Sequence, residues 1–243
     1  MIEEFLAPGS FGKDSSLGGE RPKVVLHSVG QAKREMLLKF TPPLSTELGT
    51  RWSNLLAFEA LCAQTLAGHG IPASGASPAT FQRIPASDRA GILLPRFDRP
   101  TELGRAGAAT LYSLAAERGE FEPSAPKVMA SLARHGLVRE ADAETVALVH
   151  SFSAAIGNTD AHLGNYALLF DDAGTASLAP IYDVTAMIFA PRADELPDSR
   201  VTPRTHAVPP LVRPLFDTLL SLVDASPHLD TAFKALWLRY VGA

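Results

Sequence analysis

The stretch GNTDAHLGN, residues 157–165, followed by YALLF at 166–170 and by LAPIYD at 178–183, decides how the chain is read. It places Asp160, His162 and Asn165 in one short polar loop between apolar flanks. The segments at 166–170 and 177–180 are β-prone and surround the turn Asp171-Asp172-Ala173-Gly174, which predicts a hairpin. A hairpin brings Asp183, 18 residues beyond Asn165, back to the neighbourhood of the loop. Phosphoryl transfer needs a carboxylate that orients or deprotonates the attacking hydroxyl, and oxygen ligands for a magnesium ion on the nucleotide phosphates. Asp160 suits the first task. Asn165 and Asp183 suit the second, because magnesium takes a few protein oxygens and fills its shell with water and phosphate. A turn rich in Asn and Asp that only capped backbone groups would account for the loop. It would not account for an acid at the far end of a hairpin.

Working upstream, residues 23–28 (KVVLHS) and 35–40 (EMLLKF) read as strands joined by a turn at 30–33. Residues 53–67 read as a helix capped by Ser53, with Leu55, Leu56, Leu61 and Leu66 on one face and Gly68 at its end. A second strand pair is expected at 79–83 and 90–97. From residue 105 the composition turns to Ala, Leu and Glu, and helices are expected at 107–117, 125–134, 141–156, 209–223 and 229–240. The order predicts an α+β chain of two lobes. Residues 1–98 form a small β-rich lobe, and residues 99–243 form a mostly helical lobe that carries the decisive loop.

Two upstream features fit a nucleotide site, and a third segment stands beside them. Lys39 ends the strand EMLLKF and can offer an ammonium to phosphates, with Glu59 on the following helix as its partner. Gly18 and Gly19 precede the first strand and permit a tight loop whose backbone N–H groups face phosphate. The segment GILLPRFDR, 91–99, is an apolar strand ending in charge. At its end Arg96 and Arg99 can serve the fold through Asp98.

Composition bounds the rest. The chain has 243 residues, 46% hydrophobic and 20% charged, so a sizeable core is available. Lys and Arg number 22 against 26 Asp and Glu, a net charge of -4, which gives no basic field for nucleic acid or an anionic membrane. The lone cysteine, Cys62, excludes an intramolecular disulfide and a Cys-rich zinc site. The N-terminus does not read as a signal peptide, and no apolar run is long enough to span a bilayer. A cytoplasmic protein is expected. A Ser/His/Asp hydrolase would need a G-x-S-x-G elbow, which is absent. A hydrolytic metal site built on Asp160, His162 and Asp183 would leave Lys39, the glycines and the 91–99 strand without a role.

The pattern D-x-H-x-x-N, a short hairpin, then L-x-P-x-Y-D resembles the catalytic core of the HipA-like serine/threonine kinases, a bacterial toxin family. It is more distantly similar to the phosphoinositide kinases and aminoglycoside phosphotransferases. The segment S-x-G-G-x-x-P-K, 16–23, resembles that family's Gly-rich loop, and 91–99 its hinge, which implies backbone hydrogen bonds to adenine from about Leu94 to Phe97. Together the ordered motifs span about residues 15–190. The resemblance implies a bilobal protein-kinase-like fold, with ATP and Mg2+ as cofactors. It implies Asp160 as catalytic base, Asn165 and Asp183 as metal ligands, and Gly18, Gly19, Lys39, Glu59, Leu94 and Phe97 around the nucleotide. His162 is either a ligand or a histidine satisfied within its loop. Ser16, with Ser15 beside it, is the implied autophosphorylation site, whose added charge would expel the loop. The implied partners are a translation protein such as an aminoacyl-tRNA synthetase as substrate and a HipB-like DNA-binding antitoxin. Full-length members carry an N-terminal subdomain before the Gly-rich loop. Here about fourteen residues precede it, so a separate HipS-like protein is expected to supply that piece, as in short HipT-like members. Gly164 stands where the family often has Lys. Two other functions remain open at this point: a small-molecule kinase of the aminoglycoside type, and a nucleotide-binding pseudokinase in a repressor complex.

Overall fold

The structure is a computed structural model and describes residues 23–27, 35–77, 80–100, 104–117, 124–192, 195–198 and 201–242. Ser15, Ser16, Gly18, Gly19 and the turn at 30–33 lie outside the described residues.

The first part is a four-stranded antiparallel sheet of β1 (Lys23–His27), β2 (Glu35–Phe40), β3 (Phe81–Ile84) and β4 (Arg89–Pro95), in the order β1-β2-β4-β3. Lys39 pairs with Lys23 on one side and with Ile92 on the other, so β2 is interior. Strand β4 is buried continuously from Ala90 to Leu94, as expected of a strand covered on both faces. Ile92 and Leu94 join the main core, while Leu93 joins Leu26, Leu38 and Ile84 in a smaller cluster. That split follows from side chains alternating across a pleated strand.

Between β2 and β3 runs the long helix α1 (Glu47–Gly68). It begins earlier than residue 53. Thr46 is the N-cap, its hydroxyl accepting from the Gly49 amide at 3.0 Å, and Glu47 sits in the first turn. Gly49 conceals this start from the sequence, because glycine opposes helix on propensity. Its reason is steric: a Cβ there would fall 1.9 Å from the Pro43 carbonyl oxygen. The helix is also not one-faced. Every residue from Asn54 to Ala63 is buried, with the sheet on one side and the C-terminal helices on the other.

The second part holds α2 (Leu111–Glu117), α3 (Ala125–Arg134), α4 (Glu140–Ile156), α5 (Arg213–Ala225) and α6 (Thr231–Val241). It also holds a second sheet of β5 (Gly107–Thr110), β6 (Ala167–Phe170) and β7 (Ala176–Leu178). Residues 107–110 are therefore strand rather than the first turn of a helix. Their Gly-Ala-Ala-Thr sequence specifies neither form strongly, and pairing with Phe170 to Ala167 decides it. The strand pair closed by the turn Asp171 to Gly174 is present as β6 and β7.

One apolar core joins the two parts. Phe58 of α1 packs edge-on against Trp237 and Phe233 of α6, with ring centroids 5.2 and 6.1 Å apart.

Candidate active site

The decisive loop begins where α4 ends. Gly157 takes φ 87°, the left-handed conformation that closes a helix, and a Cβ there would strike Ile188 and Tyr240 at 2.8 Å. The buried Asn158 then accepts the Asp160 amide on its side-chain oxygen at 3.1 Å. That Asx turn presents the Asp160 carboxylate to solvent, 55% exposed. His162 caps the short 3-10 turn Leu163–Asn165, its Nδ1 accepting from the Gly164 amide at 3.0 Å. The bond requires a neutral ring carrying its proton on Nε2, which lies 3.8 Å from Asp160 Oδ1. The His162 ring also fills the space beside Gly164, where a Cβ would lie 2.8 Å from His162 Cε1. A side chain at position 164 would press on that ring.

The buried Asn165 donates from Nδ2 to the Asp160 carbonyl at 3.1 Å, which turns its side-chain oxygen the other way. The Tyr182 hydroxyl donates to the Gly164 carbonyl at 2.8 Å, tying the loop to the segment that carries Asp183. Burial, and then the Asp183 charge, raise the Tyr182 pKa, so the phenol stays protonated and able to donate. Its ring packs against Phe97, 5.6 Å between centroids, at the end of β4.

Asp183 lies beside Lys39. Lys39 Nζ donates to Glu59 Oε1 at 2.6 Å and to Asp183 Oδ1 at 2.7 Å. Lys39 and Glu59 are buried, whereas the Asp183 side chain is 38% exposed. Burial by itself lowers the Lys39 pKa, but the Glu59 and Asp183 charges outweigh it and hold it above its ordinary value. Asp183 adopts φ 61°, an uncommon conformation for a residue with a side chain and one that aspartate tolerates better than most. Both flanks hold it there. Ile181 exchanges backbone bonds with Pro72 and Ser74 at 2.8 Å, and Thr185 Oγ1 donates to the Leu55 carbonyl at 2.8 Å.

Leu94 is a buried core residue opposite Leu37, so any contribution to a ligand comes from its backbone. Arg96 and Arg99 serve the fold: Arg96 pairs with Asp98 and Glu35, and Arg99 Nη1 pairs with Asp98 Oδ2 at 2.8 Å.

The structure thus brings Lys39, Glu59 and Asp183 into one ion cluster, and links Asp160, His162 and Asn165 to it through Tyr182. Sequence reasoning missed Asn158, Thr185 and the Tyr182 hydroxyl. The Asn-x-Asp spacing of an Asx turn was the available signal for the first. The other two depend on contacts spanning 130 and 18 residues. Among the described residues no group of three His, Cys, Asp or Glu could hold a metal. Oxygen is the donor type that magnesium takes, and Asn165 and Asp183 are the residues that would offer it, with phosphate and water completing the shell.

Comparison with known proteins bears on the family and the fold. The family model for the HipA-like C-terminal domain matches residues 15–213. Toxin YjjJ of Escherichia coli is 32% identical over 184 residues, which cover 74% of this chain and 40% of that protein. The chain therefore spans about two fifths of that relative's length. Among solved structures, the Helicobacter pylori proinflammatory kinase CtkA matches with a TM-score of 0.59 at 12% identity, over 96% of this chain and 90% of its own. Shewanella oneidensis HipA, solved with HipB and operator DNA, matches with a TM-score of 0.54 at 16% identity, over 95% and 64%. At these identities the two structures establish the fold: kinase-like, with a small strand-rich first part and a largely helical second part.

Proposed function

The chain belongs to the HipA-like C-terminal domain family, and from that membership we propose that it is an ATP- and magnesium-dependent serine/threonine protein kinase acting as a toxin. The observation that carries the proposal is Lys39 Nζ held between Glu59 and Asp183, 144 residues away in sequence. A buried ammonium fixed in this way beside a half-exposed carboxylate is suited to phosphates arriving from solvent.

In this reading Lys39, fixed by Glu59, meets the nucleotide phosphates. Asp160 takes the proton of the acceptor hydroxyl on its exposed carboxylate. Asn165 and Asp183 hold magnesium, which when bound neutralises phosphate charge and lowers the cost of moving it. Backbone groups from Leu94 to Phe97 hold adenine, and Gly18 and Gly19 cover the phosphates. His162 positions the loop by capping it. The acceptors are Ser16 or Ser15 of the chain itself and a serine or threonine of a translation protein such as an aminoacyl-tRNA synthetase. A HipB-like antitoxin restrains the kinase, by analogy with the Shewanella complex, and a HipS-like protein is a further partner. The net charge of -4 favours a chain that meets DNA only through such a partner. Among the described residues no helix is long and apolar enough to cross a membrane. The cytoplasm is the proposed location.

Intact and peptide mass spectrometry of the purified chain before and after Mg-ATP, with Asp160→Asn in parallel, tests this. Phosphate on Ser15 or Ser16 that disappears in the variant is the expected result. ATP binding without any phosphorylation of protein would sink it and favour a small-molecule kinase or a pseudokinase.

A further inference from the structure

The Lys39 cluster is one end of a longer arrangement along α1. Arg51, Leu55 and Glu59 stand four residues apart and so share one face of the helix. Each is tied to the chain that follows Ile181. Glu59 meets Asp183 through Lys39. The Leu55 carbonyl accepts from Thr185 at 2.8 Å. Arg51 donates from Nη1 to the Phe189 carbonyl at 3.1 Å and forms a two-pronged pair with Asp198, Nη1 to Oδ1 at 2.5 Å and Nη2 to Oδ2 at 2.6 Å. The stretch from Asp183 to Phe189 therefore runs antiparallel to α1, with an anchor at each of three successive turns. Arg51 is buried, and its guanidinium lies 5.7 Å from the centroid of the Phe233 ring, which packs edge-on against Phe189.

We infer that Arg51 is a positioning residue for the reaction. It touches none of the proposed reacting groups. It acts on Asp183 through the segment 183–189, which it fastens to the helix that also carries Glu59. Asp183 adopts a left-handed backbone conformation, and such a residue keeps its geometry only where its surroundings fix it. Arg51 supplies the far anchor of that constraint. Arginine suits the task because a planar fork meets both carboxylate oxygens of Asp198 and still reaches a carbonyl, which a lysine ammonium cannot do in one geometry. The inference rests on the reading of Asp183 as a magnesium ligand.

Two variants of the full chain test it: Arg51→Lys, which keeps the charge and loses the fork, and Asp198→Asn, on the more exposed partner. Two readouts apply. The first is amide hydrogen exchange without nucleotide. Exchange over residues 183–189 should rise about tenfold or more in both variants, while β2 and β4 keep their protection. The second is the magnesium concentration giving half-maximal phosphoryl transfer at saturating ATP. It should rise about tenfold, the usual scale for losing a group that orients a metal ligand, with turnover largely restored at high magnesium. A lower melting temperature with unchanged exchange at 183–189, or with an unchanged magnesium requirement, would make Arg51 a purely structural residue and overturn the inference. If the wild-type chain transfers no phosphate, the functional reading fails separately. The exchange measurement then decides by itself: increased exchange keeps the clamp, and unchanged exchange removes it.

Discussion

At Lys39 a burial cost is set against two ion pairs. Its ammonium lies in the interior, where an unpaired charge is costly, and two carboxylates compensate it. Replacing it with methionine leaves the buried Glu59 close to Asp183 with no cation between them. Lys39→Met should therefore cost about 3 kcal/mol of stability in urea unfolding, typical for removing one partner of a buried ion pair, and should abolish the proposed phosphoryl transfer. A variant that lost activity while keeping full stability would show that the cluster contributes only to chemistry. Glu59 acts on a second neighbour one turn along. Burial first, and then the Glu59 charge, push the Cys62 thiol well above its ordinary pKa, so this cysteine stays a protonated core residue. Lys39 and Glu59 were legible in the sequence because a lysine at a strand end and an acid on the next helix form a recognisable pair. Asp183 as the second partner of Lys39 was not, because no local pattern encodes a contact across 144 residues.

At the scale of elements, α1 organises the molecule. It packs against β4 on one side and α5 on the other, and it carries Arg51, Leu55 and Glu59 toward the Asp183 segment. Its first turn presses on Pro42 and Pro43 through Gly49. Two effects compete in Gly49→Ala. Helix propensity favours alanine by about 1 kcal/mol. The 1.9 Å approach to the Pro43 carbonyl opposes it, and the neighbour is backbone, which cannot swing aside. Overpacking of this kind costs about 1–3 kcal/mol, so the substitution should destabilise the protein in denaturant unfolding. A stabilised variant would mean that Pro42 and Pro43 shift freely. The same competition between local preference and tertiary contact explains β5. Local preference leaves residues 107–110 undecided, and their backbone groups pair in register with β6.

Across the whole molecule, buried protonated groups set the response to alkali. Tyr166 is pushed up to about 12 by burial, and Tyr182 is raised by burial and then by Asp183. Lys39 is held above its usual 10.5. In each case the folded state keeps a proton that the unfolded chain releases, so stability falls as pH rises. For these three the contribution is complete below about pH 10 and drains away above it, by up to about 1.4 kcal/mol per pH unit for each group, while the raised Cys62 thiol begins the loss about one pH unit lower. Calorimetry should show the melting temperature falling from about pH 9 and faster above about pH 10, and Tyr166→Phe should make the upper part of that fall shallower. An unchanged slope in the variant would remove Tyr166 from the account.

The sequence by itself determined most of the order of elements, β5 excepted, and the loop around Asp160, because both rest on local patterns. Alternating strands, helical periodicity, glycine and proline punctuation and the Asx turn all act over a few residues. It also determined that an acid returns to the loop, since a short hairpin leaves its flanks little choice. Only the tertiary structure decided the contacts beyond the Lys39–Glu59 pair. Asp183 on Lys39, Thr185 on the Leu55 carbonyl and Arg51 on Asp198 join parts of the chain 130 to 147 residues apart. Packing around α1 fixes those pairs, and no short-range preference of the chain encodes them.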